Sequence, residues 1–301
     1  MSKFVELPPQ DYNKAAFDKF QPQRGAFDLD DALPMMWMAQ LAYESDAVDT
    51  IKKVASLWQL ERVQHLAALG KKIDTRVIVA ERAGCTFVAF EGTDPAIAAN
   101  VITDGNAVLT DDDEHAGFEA ALMAIWPKVL QDIGTRPKPL FFTGHSLGAA
   151  LAALAAEKAN DAGIMPAAVY TFGMPRAGGD KFATRYNGKL GDRTFRLVHG
   201  NDIVPCVPDS IGPLIFRHVG HMLKCPSGGK FDPTMALSTI SDDDPRFEAG
   251  VRDSFRNQLN AFLAGRFFSP QGPGALGRML AFLPLAIRDH LPDRYLNALT
   301  L

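Results

Sequence analysis

Phe141-Phe142-Thr143-Gly144-His145-Ser146-Leu147-Gly148 is the stretch whose reading decides the fold. A short apolar run leads into Gly-x-Ser-x-Gly, and the alanine-rich run Ala149 to Ala156 follows. The pattern reads as a buried strand, a sharp turn and a helix, with the serine held at the strained tip of the turn. Gly144 and Gly148 stand where the chain doubles back and a Cβ would collide with a neighbouring strand or helix. Ala149, Ala152, Ala153 and Ala156 let the helix lie close to the sheet. Its N-terminus points N–H groups at any charge that develops beside Ser146. A strand-turn-helix with an idle serine has the same local pattern, so the nucleophile reading depends on finding partners elsewhere in the chain.

Composition bounds the search. The chain has 301 residues, 47% hydrophobic and 22% charged, as a globular protein with a sizeable core requires. A net charge of -4 gives no reason to expect a nucleic-acid partner. No apolar run approaches the ~20 residues that span a bilayer, and Met1 to Pro22 lacks the apolar core of a signal peptide. Cys85, Cys206 and Cys225 form no C-x-x-C pair, so neither a disulfide framework nor a zinc site is indicated, although one Cys206–Cys225 bridge stays open. These features together predict a cytoplasmic chain, or one exported without an N-terminal signal peptide.

Residues 1–28 read as an N-terminal arm over the domain, and a helix is expected from Asp30 to Ala47. Its methionine stripe suits a core better than a binding surface. Thr50 to Leu69 continues helical up to Gly70. Arg76–Ala80 and Thr86–Phe90 form a hairpin turning at Arg82-Ala83-Gly84. A helix from Phe118 to Leu130, kinked at Pro127, leads into the strand before Ser146. Further strands are expected at Ala167–Phe172, Thr194–Val198 and Leu214–Val219. Strands alternating with helices predict an α/β-hydrolase fold: a mainly parallel central sheet with helices on both faces, in a single domain over 1–301.

A serine hydroxyl needs a base, oriented by a carboxylate. On this topology the partners follow in the order serine, acid, histidine, on loops after later strands. Asp202 meets the condition for the acid, lying just past a strand in the polar turn His199-Gly200-Asn201-Asp202, with a turn-former or cap as the minor alternative. The base is expected at His290, after an apolar segment and before a final helix. His218 and His221, on or beside a strand, are the alternatives and suit a satisfied core position better. For the oxyanion hole, Leu147 N–H is one donor, and the strand end Glu91-Gly92-Thr93 supplies Thr93 as the other.

Taken in order, these motifs resemble the fungal-type, class 3 lipase family. Phe90-Glu91-Gly92-Thr93 resembles the family's Phe-Arg-Gly-Thr strand end, with Glu91 where the family has arginine. Ile102-Thr103-Asp104 resembles the acidic step that follows, and His115-Ala116-Gly117-Phe118 a His-x-Gly-Phe helix start. Thr171-Phe172-Gly173-Met174-Pro175-Arg176 matches Thr-Phe-Gly-x-Pro-Arg; Asn201 to Pro205 resembles the acid loop and Phe216 to Gly220 the aromatic-x-His-x-Gly strand. The resemblance covers about residues 30–221 and Asp289 to Tyr295, and the stretch between is longer than the family's connection. It implies an esterase on glycerides without cofactor, with Ser146, Asp202 and His290 as triad, Thr93 and Leu147 as oxyanion donors, and His218 structural.

Its substrate class would be a lipid or small-molecule ester, met at a lipid–water interface. Phospholipase A1 and short-chain carboxylesterase are the competing activities, and a non-catalytic lipid-binding protein the competing class. The family places a lid at the position of Pro95 to Val101, which is short and weakly apolar here. The insertion 222–288, rich in large apolar residues from Phe262 to Ile287, reads equally as core or as a lid or acyl-chain wall. Asp111–Asp113 and Asp242–Asp244 read as solvated loops or helix caps, and no metal is expected.

Overall fold

The computed structural model describes residues 5–22, 26–44, 47–70, 74–93, 108–134, 138–208, 214–232 and 285–300, with isolated positions at 210, 234, 237–238, 249–251 and 253. The expected lid at Pro95 to Val101, the acidic step at 102–104, Asp242–Asp244 and the greater part of the insertion lie outside these residues.

Strands β1 (Arg62–Leu69), β2 (Asp74–Arg82), β3 (Cys85–Phe90), β4 (Leu140–His145), β5 (Ala168–Phe172), β6 (Thr194–His199) and β7 (His221–Cys225) lie side by side in chain order. β1, β2 and β3 pair antiparallel, and β3 to β7 run parallel. β2 turns into β3 through Ala83 and Gly84, both at positive φ, as a two-residue hairpin needs. The apolar runs follow from burial on both faces. Val77, Val79, Val88, Phe90 and Phe142 face one layer, whereas Ile78, Ala80, Phe87, Ala89 and Phe141 face the other.

The first layer holds the crossover helices α3 (Ala116–Ile133), α4 (Leu147–Asp161) and α5 (Asp180–Leu190). α4 sits over the sheet centre with Ala149 to Ala156 all buried. A larger side chain there would overpack at a cost of about 1–3 kcal/mol. The second layer holds α1 (Leu29–Ala42), α2 (Val48–Leu57) and, after the short α6 (Leu285–Arg288), whose Ala286 and Ile287 pack with Ile203, Val204 and Cys206, α7 (Pro292–Leu299). α1 starts at Asp28, whose carboxylate accepts the Asp30 N–H at 2.8 Å. Tyr12 and Phe17 of the arm enter this core, and Glu44 binds Leu7 N–H at 2.6 Å and the Tyr12 hydroxyl at 3.0 Å.

Two expectations are corrected. The helix over Thr50 to Leu69 ends at Leu57, because Gln59 takes φ 54°, and Arg62–Leu69 pairs along β2 as β1. The last strand is His221–Cys225 rather than Leu214–Val219. Gly220 turns the chain at φ 69°, and a Cβ there would overlap Thr194, so pairing with β6 begins only after it. α3 runs through Pro127 as one helix. Cys85, Cys206 and Cys225 are all free and buried.

Candidate active site

The parallel register brings the relevant chain ends to one edge of the sheet. Gly144 of β4 lies opposite Phe90 of β3 and Thr171 of β5, and His145 opposite Phe172. Ser146 is therefore the first residue beyond the sheet, with φ 61° and ψ -133°, and its N–H donates to Phe172 O at 2.9 Å. A non-glycine residue in this region of backbone space is strained and persists only where its surroundings impose it. A Cβ on Gly144 would overlap the Gly148 carbonyl, and one on Gly148 would overlap the Phe90 carbonyl. Both glycines are required for the β4–α4 turn to close against β3.

That closure also brings the end of β3 to the turn. The end of β3, through Glu91 to Thr93, lies against the turn, since a Cβ on Gly92 would stand 2.5 Å from His145 O. Gly92 thus lies beside His145, the residue before Ser146, and Leu147 opens α4 on its other side. Glu91, in the place of the family's arginine, pairs at 3.5 Å with Arg76 on β2.

Asp202 and His290 come together although 88 positions separate them: His290 Nδ1 donates to Asp202 Oδ2 at 2.8 Å, with both side chains buried. Asp202 Oδ1 accepts the Val204 N–H at 2.8 Å, and its Oδ2 also accepts the Tyr295 hydroxyl at 2.5 Å. Among the described residues His290 Nε2 is buried without a hydrogen-bond partner. Gly173, at φ 59°, lies under the pair: a Cβ there would stand 2.7 Å from Asp202 Oδ2 and 2.9 Å from His290 Nδ1. The carboxylate fixes the proton on Nδ1, so Nε2 presents a lone pair.

Three further side chains hold this arrangement. His145 stacks on His290 at 4.5 Å between ring centroids. Its Nε2 donates to His290 O at 2.7 Å, which leaves Nδ1 to accept from the Tyr43 hydroxyl at 2.8 Å. Burial, and then the neighbouring His290 charge, hold the His145 imidazole well below its ordinary range, so it stays neutral. Burial and the Asp202 carboxylate push the Tyr295 hydroxyl well above its ordinary range, which keeps it a donor. Tyr295 also accepts the His199 N–H at 3.2 Å. Tyr295→Phe would leave that buried N–H and one Asp202 lone pair unmatched. It should destabilise the fold by about 1–3 kcal/mol, read by urea denaturation; an unchanged midpoint would show the hydroxyl to be dispensable.

His218 lies away from this cluster. Its Nε2 binds Pro205 O at 2.8 Å, and burial, with Arg196 and Arg176 nearby, holds its imidazole well below the ordinary range. His221 binds Ser238 O at 2.8 Å. Arg176 braces the acid loop through Cys206 O and Pro208 O, each at 2.8 Å. Asp113 of the acidic run accepts the Lys181 N–H at 2.8 Å and so caps the start of α5. Sequence reasoning left Tyr43, His145 and Tyr295 without roles, because only the tertiary fold brings them to Asp202 and His290.

A mainly parallel sheet, a serine on a glycine-flanked strand–helix turn, and an acid and a histidine on later loops are the arrangement of the α/β-hydrolase fold. Residues 87–211 match the class 3 lipases. A secreted mono- and diacylglycerol lipase of Malassezia restricta is 37% identical over 152 residues, covering 44% of this chain and 49% of that relative. A triacylglycerol lipase of Arabidopsis thaliana is 40% identical over 179 residues, covering 53% of this chain and 33% of that relative. The solved Rhizomucor miehei lipase propeptide complex superposes with a TM-score of 0.57 at 20% identity, over 82% of this chain and 84% of that one, a likeness of fold. Over residues 87–211 the chain is thus similar to the class 3 lipases, and it spans about half the length, or less, of these two sequence relatives.

The expected cytoplasmic location, or export without a signal, is corrected by the same comparisons. The Malassezia restricta relative and a 37% identical one from Fusarium solani are both named as secreted lipases. Composition and cysteine count do not report compartment when, as here, every thiol is free and buried.

Proposed function

We propose that the chain is a carboxylic ester hydrolase acting on acylglycerols through an acyl-enzyme on Ser146. The observation that carries this reading is the buried Asp202–His290 pair at the serine turn, with His290 Nε2 left open. In the first step His290 Nε2 takes the Ser146 proton and Oγ attacks the ester carbonyl. Leu147 N–H, with the N–H and hydroxyl of Thr93, receives the oxyanion, helped by the N-terminus of α4. The imidazolium, stabilised by Asp202, then protonates the departing alcohol. In the second step His290 activates water, which releases the fatty acid and restores Ser146.

The substrate class is drawn from relatives named as mono- and diacylglycerol lipases and as a triacylglycerol lipase. The test is turnover of emulsified mono-, di- and trioleoylglycerol, with phosphatidylcholine and p-nitrophenyl acetate alongside, and labelling by an alkyl phosphonate. Wild type should release oleate from the glycerides and carry the phosphonate on Ser146, while Ser146→Ala does neither. Preference for phosphatidylcholine or for acetate would reassign the substrate. Undiminished turnover by Ser146→Ala would remove the mechanism.

A further inference from the structure

The loop that carries Asp202 is held to the C-terminal segment by alternate backbone amides. His199 N–H donates to the Tyr295 hydroxyl at 3.2 Å, Asn201 N–H to Asp289 Oδ2 at 2.8 Å, and Ile203 N–H to Ala286 O at 3.3 Å. The middle link is a side chain whose own residue immediately precedes His290. Each loop therefore reaches across with a carboxylate: Asp202 binds His290, and Asp289 binds the amide next to Asp202.

Asp289 is buried, and its environment is built around it. Ser227 Oγ donates to its Oδ1 at 3.0 Å, and His199 Nδ1 lies 3.7 Å from the same oxygen. The His199 ring donates from Nδ1 to Asp289 O at 3.2 Å, while its Nε2 faces the Gly228 N–H at 3.3 Å. Gly200, at φ 58°, supplies the space, since a Cβ there would overlap the Asp289 carboxylate. Burying a charge is unfavourable unless it is paired and hydrogen-bonded, and an apolar contact could join two loops without that penalty. What the carboxylate adds is direction, with one oxygen on the acid loop and the other on the turn after β7.

We propose that Asp289 is a positioning residue: its carboxylate fixes the acid loop where Asp202 can hold the His290 imidazole. The inference rests on the serine-hydrolase reading above. It touches no reacting atom, so its effect must pass through His290. A displacement on the order of 1 Å in such a group costs roughly 100-fold in rate.

The experiment compares kcat and KM per active site, counted by phosphonate titration, on p-nitrophenyl butyrate. Asp289→Ala should lower kcat by about 10–100-fold with little change in KM, as loss of a transition-state interaction requires. Asp289→Asn, which keeps one carbonyl acceptor, should fall between it and wild type. In a His290→Ala background, Asp289→Ala should cause no further loss, because residues acting as one unit are not additive. Wild-type kcat per titrated site in Asp289→Ala, or an added loss on top of His290→Ala, would overturn the proposal. Should Asp289→Ala fail to fold, Asp289→Asn and Ser227→Ala carry the same comparison, and wild-type kcat in both would overturn it. Absence of titratable Ser146 in the wild type would instead strike the serine-hydrolase reading itself.

Discussion

Asp202→Asn should lower kcat/KM by about 10⁴-fold while leaving the fold intact. The carboxylate accepts three hydrogen bonds, from His290 Nδ1, the Tyr295 hydroxyl and Val204 N–H. An amide of the same shape must turn either its oxygen or its NH2 toward Nδ1. With NH2 there, the imidazole proton moves to Nε2, and the base can no longer accept from Ser146. With oxygen there the tautomer is kept, but the imidazolium formed during reaction loses its countercharge. Either arrangement removes what Asp202 supplies. His290→Ala should cost at least as much, and the double variant little more than His290→Ala alone. Near-UV circular dichroism would show that packing survives, and rates within tenfold of wild type in both single variants would remove the pair from the mechanism.

Much of this site is legible from local chemistry. Ser146 is marked by the glycines on either side of it, and the structure shows each glycine facing backbone that a Cβ would strike. Asp202 is marked as a carboxylate in a polar turn just past an apolar strand. His290 lies far along the chain, and its place beside Asp202 depends on the end of the chain returning to the acid loop. The supporting residues carry no such mark. Tyr43 closes an apolar helix, His145 lies inside a buried strand, and Asp289 looks like any acidic residue in a turn. Their roles come from contacts between positions 62 to 145 residues apart in the chain, which no periodicity encodes.

The misread elements fail for the same reason. Arg62 to Leu69 has an apolar content that suits a helix as well as a strand, and pairing with β2 decides it. Leu214 to Val219 has the composition of a strand, but the turn at Gly220 places the pairing residues after it. Compartment was unreadable for a different reason: it is set by a targeting step rather than by the packing of the mature fold.

Gly144→Ala should be among the most damaging single methyl groups at the described glycines. The added carbon would overlap the Gly148 carbonyl and stand 2.7 Å from Ala149 N. Both are backbone atoms at the start of α4, so no rotamer change can relieve the contact. α4 cannot retreat either, because its alanine face already lies against the sheet and Gly148 touches β3. The cost should be at least about 3 kcal/mol, in the range of severe core overpacking. For a chain of this size that corresponds to a fall in Tm of roughly ten degrees. Activity should fall further than stability, since any shift of the turn moves Ser146 and the Leu147 amide together. Gly188→Ala is the matched control: it lies inside α5, and a Cβ there meets nothing within 4 Å. The same substitution there should stabilise by about 0.5–1 kcal/mol, because alanine loses less freedom than glycine on entering a helix. Calorimetry on the two variants should therefore give shifts of opposite sign. A Gly144→Ala protein that melts with the wild type would mean that the strand–helix turn can open without loss, and the strained geometry at Ser146 would need another cause.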